Sequence, residues 1–176
     1  MSFENKSESI RFPQIASELK EMVDIDQDMR ERSHTEDYWD ETIDAKHTER
    51  MKEIVGEIGW PTISKVGKEG ANHAWLLVQH ADHDVDFQEH CLQLMKDAPA
   101  DEVDVVNIVY LTDRVCGNRG VGQLYGTQFI QENGKHIPRT IDDEENVDAR
   151  RAEVGMGPLS EQIQHMYNKY PLDEEE

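Results

Sequence analysis

Apolar residues recur at helical spacing through the first two thirds of the chain and alternate with polar ones nearer its end. Ile15, Leu19, Met22, Val23 and Ile25 predict an amphipathic helix over 13–31, with Pro13 suited to its first turn. Tyr38, Trp39, Ile43, His47, Met51, Ile54, Val55 and Ile58 form the inward face of a second helix over 37–58. Gly59 suits its C-terminal end, with Pro61 close behind, and Trp60-Pro61 reads as packing at the corner. Gly67 and Gly70 mark a turn. Residues 71–81 then form the most apolar helix, with His73 and His80 on one face around Leu76, Leu77 and Val78. Phe87, Cys91, Leu92, Leu94 and Met95 place another helix over 85–98, ended by Pro99. Residues 102–115 carry Val103, Val106, Val109 and Tyr110 on one stripe. The β-branched content suits a strand, but the length favours a helix.

Beyond this point the pattern changes. Gly117, Gly120 and Gly122 make a glycine-rich loop whose spacing matches neither a dinucleotide fingerprint nor a Walker loop. Residues 123–131 alternate around Leu124, Tyr125, Phe129 and Ile130, Asn133-Gly134 is a hairpin turn, and 135–141 returns with Pro138 at an edge. An acidic loop over 142–146 leads to a short helix over 147–154, and Ile163, Met166 and Tyr167 mark a last helix over 160–170. The expected architecture is mainly α: a single globular domain over 12–170, a helical bundle-like core with a small C-terminal β-hairpin. A flexible arm over 1–11 precedes it and an acidic tail over 171–176 follows. An α+β fold is the alternative if 103–111 is a strand.

Charge narrows the partners. Lys plus Arg number 18 against 38 Asp plus Glu, a formal net charge of −20. An acidic chain gains nothing from counterion release, so nucleic acid is excluded unless Arg114, Arg119, Arg139, Arg150 and Arg151 gather on one face. Anionic membranes are disfavoured for the same reason, and the charge reads as solubility by self-repulsion. No apolar run approaches the roughly 18 residues of a spanning helix. Cys91 and Cys116 form neither a disulfide framework nor a zinc pattern, and a cytoplasmic location is expected.

Two acidic stretches invite a metal reading. Counted from Asp24, the Asp24/Asp26/Asp28 series would need Gly and Glu at the sixth and twelfth positions of a calcium loop, where Met29 and Thr35 stand. It reads as a solvated acidic face. His80 to Asp86 lacks the His-Glu-x-x-His arrangement and reads as an Asp-rich helix start, so no metal or cofactor is expected.

Three blocks run from apolar residues into polar ones: Trp75 to Asp82, Leu111 to Arg114, and Gln123 to Gln128. Buried polar groups are costly unless partnered, so these blocks mark a candidate site. His80 is its proton carrier, since free imidazole titrates near pH 6.5, and Asp113 or Asp82 would orient it. Arg114, Arg150 and Arg151 would hold a carboxylate or phosphate, and Gln79, Gln123, Tyr125, Thr127 and Gln128 would supply neutral hydrogen bonds. With His80 and Asp113 as catalytic pair, the expectation is an acid–base hydrolase or lyase on a small anionic substrate. The opposing reading is a non-catalytic ligand-binding or protein-interaction module whose polar network is structural. Asp44 and His47 can also meet on one helix face, and Cys116, with no base defined beside it, is a core thiol.

Gly59-Trp60-Pro61, Gln79-His80-Ala81-Asp82, Leu111-Thr112-Asp113-Arg114, Gln123-x-Tyr125-Gly126-Thr127-Gln128 and Asp148-x-Arg150-Arg151 occur in that order. Together they resemble an uncharacterised bacterial family of unknown function, over about residues 40–165. The resemblance implies a shared domain and a shared site, and brings no reaction with it. It also implies Asn in many relatives where this chain has His47, which weakens His47 as a catalytic residue.

Overall fold

The structure, a computed structural model, describes residues 10–36 and 38–170. Most of the expected N-terminal arm, and the expected acidic tail, lie outside the described residues. Among those residues the chain forms seven α-helices and one two-stranded antiparallel hairpin, a mainly helical fold with a small β element near the C-terminus. Its contacts gather into two compact units, one through Asp104 and one from Val105 onward.

The first unit comprises α1 (Pro13–Thr35), α2 (Glu41–Ile58), α3 (Ile63–Gln79) and α4 (Val85–Asp97). α3 packs against the other three, and α1 also meets α2. Leu19, Met29, Met51, Ile54, Ala74, Val78, Cys91 and Met95 lie in its buried interior. α1 continues four residues past position 31, and Ile25 faces solvent rather than the core. α2 begins at Glu41 rather than 37 because Asp40 is its N-cap: its carboxylate accepts from the Thr42 amide at 2.9 Å. Tyr38 and Trp39 therefore precede the helix and are exposed, not inward-facing.

At the other end of α2, Gly59 adopts φ 69°, a left-handed conformation that favours glycine, and its amide donates to Val55 O. The Lys65 ammonium donates to the carbonyls of Ile58 and Trp60, and burial lowers its pKa. Trp60 itself is buried at this corner. α3 starts eight residues before the expected position 71. Its first turn is held by Glu102, whose side chain accepts from Ser64 N at 2.8 Å and whose carbonyl accepts from Ile63 N at 3.1 Å. The anticipated glycine break is present inside it: Gly67 has φ 78° and ψ 165°, whereas Gly70 is helical. Asp84 caps α4 through a 3.0 Å bond from Phe87 N, so the end of the His80 to Asp86 segment starts a helix.

The second unit comprises α5 (Val105–Asn118), β1 (Phe129–Glu132), β2 (Lys135–Pro138), a 3-10 turn at Glu144–Asn146, α6 (Val147–Glu153) and α7 (Leu159–Lys169). α5 is helical despite its valines, which removes the strand alternative for most of 103–111. β1 and β2 pair with Phe129 opposite Pro138 and Glu132 opposite Lys135. Asn133 and Gly134 both take positive φ, as a two-residue hairpin turn requires. α7 lies on β2 and α6. His136 fastens it: its Nε2 is 2.6 Å from Tyr170 O and its ring meets Tyr167 edge-on at 5.3 Å. Among the described residues no helix is long and apolar enough to cross a membrane.

Candidate functional site

The ten expected site residues divide between the units. Gln79 and His80 belong to the first; Asp113, Arg114, Gln123, Tyr125, Thr127, Gln128, Arg150 and Arg151 belong to the second. Each group has its own geometry.

His80 caps the C-terminus of α3, where helix carbonyls need outside donors. Buried Gln88 of α4 supplies one: its Nε2 lies 3.0 Å from Val78 O and 3.3 Å from both Gln79 O and Asp82 Oδ1. Held at this end, His80 places Nδ1 2.9 Å from Oδ1 of Asp26, a residue of α1 with no exposed surface. Arg30, one turn on from Asp26, bonds the same carboxylate through Nε and Nη2 at 3.0–3.2 Å. Its Nη2 also reaches Asp44 Oδ1 of α2 at 2.8 Å. Arg30 thus joins α1 to α2, and Asp26 carries the link on to the end of α3.

The tautomer of His80 follows from these neighbours. Arg30 Nε lies 3.1 Å from Nδ1, but it already has both Asp26 oxygens as acceptors. An unprotonated Nδ1 would set its lone pair against the Asp26 carboxylate at 2.9 Å, so Nδ1 carries the proton and donates it to Asp26. Nε2 is then the basic nitrogen. Among the described residues it has no hydrogen-bond partner, and the His80 side chain is 18% exposed. Burial opposes ionisation of Asp26, but hydrogen bonds from His80 and Arg30, and their charges, outweigh it and hold the carboxyl well below the usual carboxylate range.

His47 completes the cluster. It lies within electrostatic reach of Asp26, Asp44, Arg30 and His80, and burial lowers its pKa against the pull of the two carboxylates. Its Nδ1 is buried with no hydrogen-bond partner among the described residues. The Oε1 of Gln79 is likewise buried and unpartnered there.

Sequence reasoning missed Asp26 and Arg30, and the acidic face assigned to Asp24, Asp26 and Asp28 needs correction. Asp24 and Asp28 are exposed, but Asp26 is buried with Leu19, Met22, Val23 and Met29. Its spacing from those residues was the available signal, since it falls on the apolar stripe of α1.

In the second unit the expected residues do converge, around a loop rather than a reacting atom. Buried Asp113 accepts from the amides of Leu124 at 2.8 Å, Tyr125 at 3.0 Å and Thr127 at 2.9 Å, and from the Thr127 hydroxyl at 2.9 Å. Gln123 donates to the carbonyls of Gln128 and Arg139 and accepts from Gln128 N. Arg150 bonds the carbonyls of Leu124, Asp142 and Asp143. Buried Arg151 bonds those of Tyr125 and Gly157. Arg114 Nη1 lies 3.1 Å from Gln128 Oε1. Gly126, at φ 71°, sits so close to Leu159 that a Cβ there would meet its Cδ1 at 2.6 Å. The Gln-x-Tyr-Gly-Thr-Gln block is therefore a loop tied down at nearly every residue.

Other candidates are quiet. Burial pushes the Cys91 thiol up to about 12, which leaves it protonated and unreactive at neutral pH. Among the described residues no three His, Cys, Asp or Glu side chains are grouped to hold a metal ion.

A family model described as a family of unknown function (DUF6624) matches residues 13–174. The chain belongs to that family. No curated protein and no solved structure matches it.

Proposed function

We propose that this family member is an acid–base enzyme, a hydrolase or lyase, in which His80 Nε2 accepts a proton from water or substrate. The observation that carries this reading is the contact between Nδ1 and the buried Asp26 carboxylate, with Nε2 left unpartnered among the described residues. A carboxylate behind an imidazole fixes the ring and the tautomer, and it stabilises the imidazolium that forms when the other nitrogen takes a proton. Asp26, rather than Asp113, has that role here; Asp113 holds the 124–127 loop. Asp26 and Asp44 against Arg30 leave one net negative charge beside the ring.

The same balance bears on substrate. The anionic substrate expected from the sequence relied on Arg114, Arg150 and Arg151, and the last two are committed to backbone carbonyls. A neutral or cationic group at His80 fits the charge there better than an anion does.

A second reading has its own support: Arg30 bonds Asp26 of α1 and Asp44 of α2 while Asp26 meets His80 at the end of α3, as in an ionic tie that only joins the three helices. The experiment incubates wild-type protein and His80→Gln with fractionated small-molecule cell extract, follows compounds by mass spectrometry, and melts both proteins. The expected result is a compound consumed by wild type and lost by about 100-fold or more in the variant, with similar melting. Equal consumption by both, or none by wild type, sinks the enzyme reading. A large drop in melting temperature of the variant, without any turnover to lose, establishes the tie.

A further inference from the structure

Among the described residues few large aromatic groups are exposed, and Trp39 is prominent among them: half of its surface is open, whereas Trp60 is buried. It is not loose. The Arg30 guanidinium stacks over its ring at 5.2 Å, and Arg32 stacks over neighbouring Tyr38 at 4.1 Å. Two arginines of α1 thus hold Tyr38 and Trp39, just ahead of α2, while half of the indole stays accessible. The Arg30 that carries Trp39 is the one that bonds Asp26 and Asp44 and touches His80 Nδ1. Trp39 is therefore one side chain removed from the Asp26–His80 pair, on its solvent edge.

The chemistry at this edge is selective. An anion would face two carboxylates, and the arginine beside them has its Nε and Nη2 committed to those carboxylates. An ammonium would find an aromatic surface, whose quadrupole attracts cations, and the partly exposed carboxylate of Asp44. The net charge of −20 also raises the local concentration of small cations. We infer that the site accepts a small molecule with an alkylated ammonium head, seated against Trp39 and Asp44 beside His80. This inference rests on reading the Asp26–His80 pair as a working site, and it makes Trp39 a substrate-positioning residue.

The test titrates the full chain with choline, with its uncharged isostere 3,3-dimethylbutan-1-ol, and with inorganic phosphate, following tryptophan emission and melting temperature. Choline is expected to perturb the emission and raise the melting temperature, with the alcohol weaker by about tenfold and phosphate without effect. Trp39→Ala and Asp44→Asn should each weaken choline about tenfold, and Trp39→Phe should fall between Trp39→Ala and wild type. Trp39 is exposed, so its variants keep the fold, which their melting checks. Equal binding of choline and the alcohol, tighter binding of phosphate, or an unchanged response in Trp39→Ala each overturns the inference. His80→Gln separates the two claims. Choline binding through Trp39 in a variant that also keeps turnover leaves the ligand class standing without the proton carrier; turnover lost with no choline response leaves the reverse.

Discussion

Asp26 and Asp113 are both fully buried carboxylates, yet their surroundings differ in kind. Asp113 accepts from three backbone amides and a hydroxyl, donors that cannot move without unfolding the 124–127 loop. Among the described residues Asp26 is met by side chains alone: Arg30, His80 and Gln27. Backbone donors turn a buried charge into a fastening. Side-chain donors leave one partner, His80, with a second nitrogen that no described residue bonds. The contrast teaches that burial and charge do not by themselves mark a reactive group; what matters is whether its partners retain unused capacity.

The two carboxylates should respond differently to removal, with the larger loss at Asp113. Asp113→Ala strands three amides, and urea unfolding should show a loss of about 4 kcal/mol, with activity per folded molecule unchanged. A near-neutral result would mean that the loop holds itself. Asp26→Asn should cost less, about 2 kcal/mol, because Arg30 keeps Asp44, but it should abolish turnover by removing the group that orients His80. Turnover retained in Asp26→Asn would erase the distinction between the two carboxylates.

The pH dependence of stability sharpens the same contrast. His47 has a lowered folded pKa, so the folded state binds its proton less readily; stability is full above the ordinary value near 6.5 and declines as pH falls below it. Asp26 is also lowered, so its contribution is full above the ordinary carboxylate range and drains as pH falls through that range and below. Melting curves should show a shallow first loss that His47→Gln removes, and a deeper acid loss that Asp26→Asn reduces. The smallest effect belongs to Arg150→Lys. It gives up forked bonds to Leu124, Asp142 and Asp143 but keeps the charge, at about 1 kcal/mol in the same urea assay.

Much of the fold was legible because it depends on neighbours in the chain. Pro13 at a helix start, Gly59 at a helix end and Asn133-Gly134 at the hairpin act within a few residues of themselves, and each stands where its local chemistry requires. The two boundary errors differ in cause, one local and one distant. Asp40 capped α2 later than its apolar residues suggested, and Glu102 extended α3 back to Ile63 from far along the chain. At the site, the sequence pointed to His80 and to the polar blocks. It placed the arginines on a ligand, whereas Arg150 and Arg151 meet carbonyls. A side chain that reads as a binding group and one that fastens a loop have the same composition.

By itself the amino-acid order determined that the helices and the hairpin exist, the turns at Gly59 and Asn133-Gly134, and the presence of an imidazole at the end of an apolar helix, since these depend on periodicity and on interactions within a turn. Only the tertiary structure decided which carboxylate stands behind that imidazole. Asp26 and His80 are 54 positions apart, and they meet because α1 and α3 bury their apolar stripes together. An aspartate on such a stripe is drawn inside with it, and the helix that receives it must supply its partner.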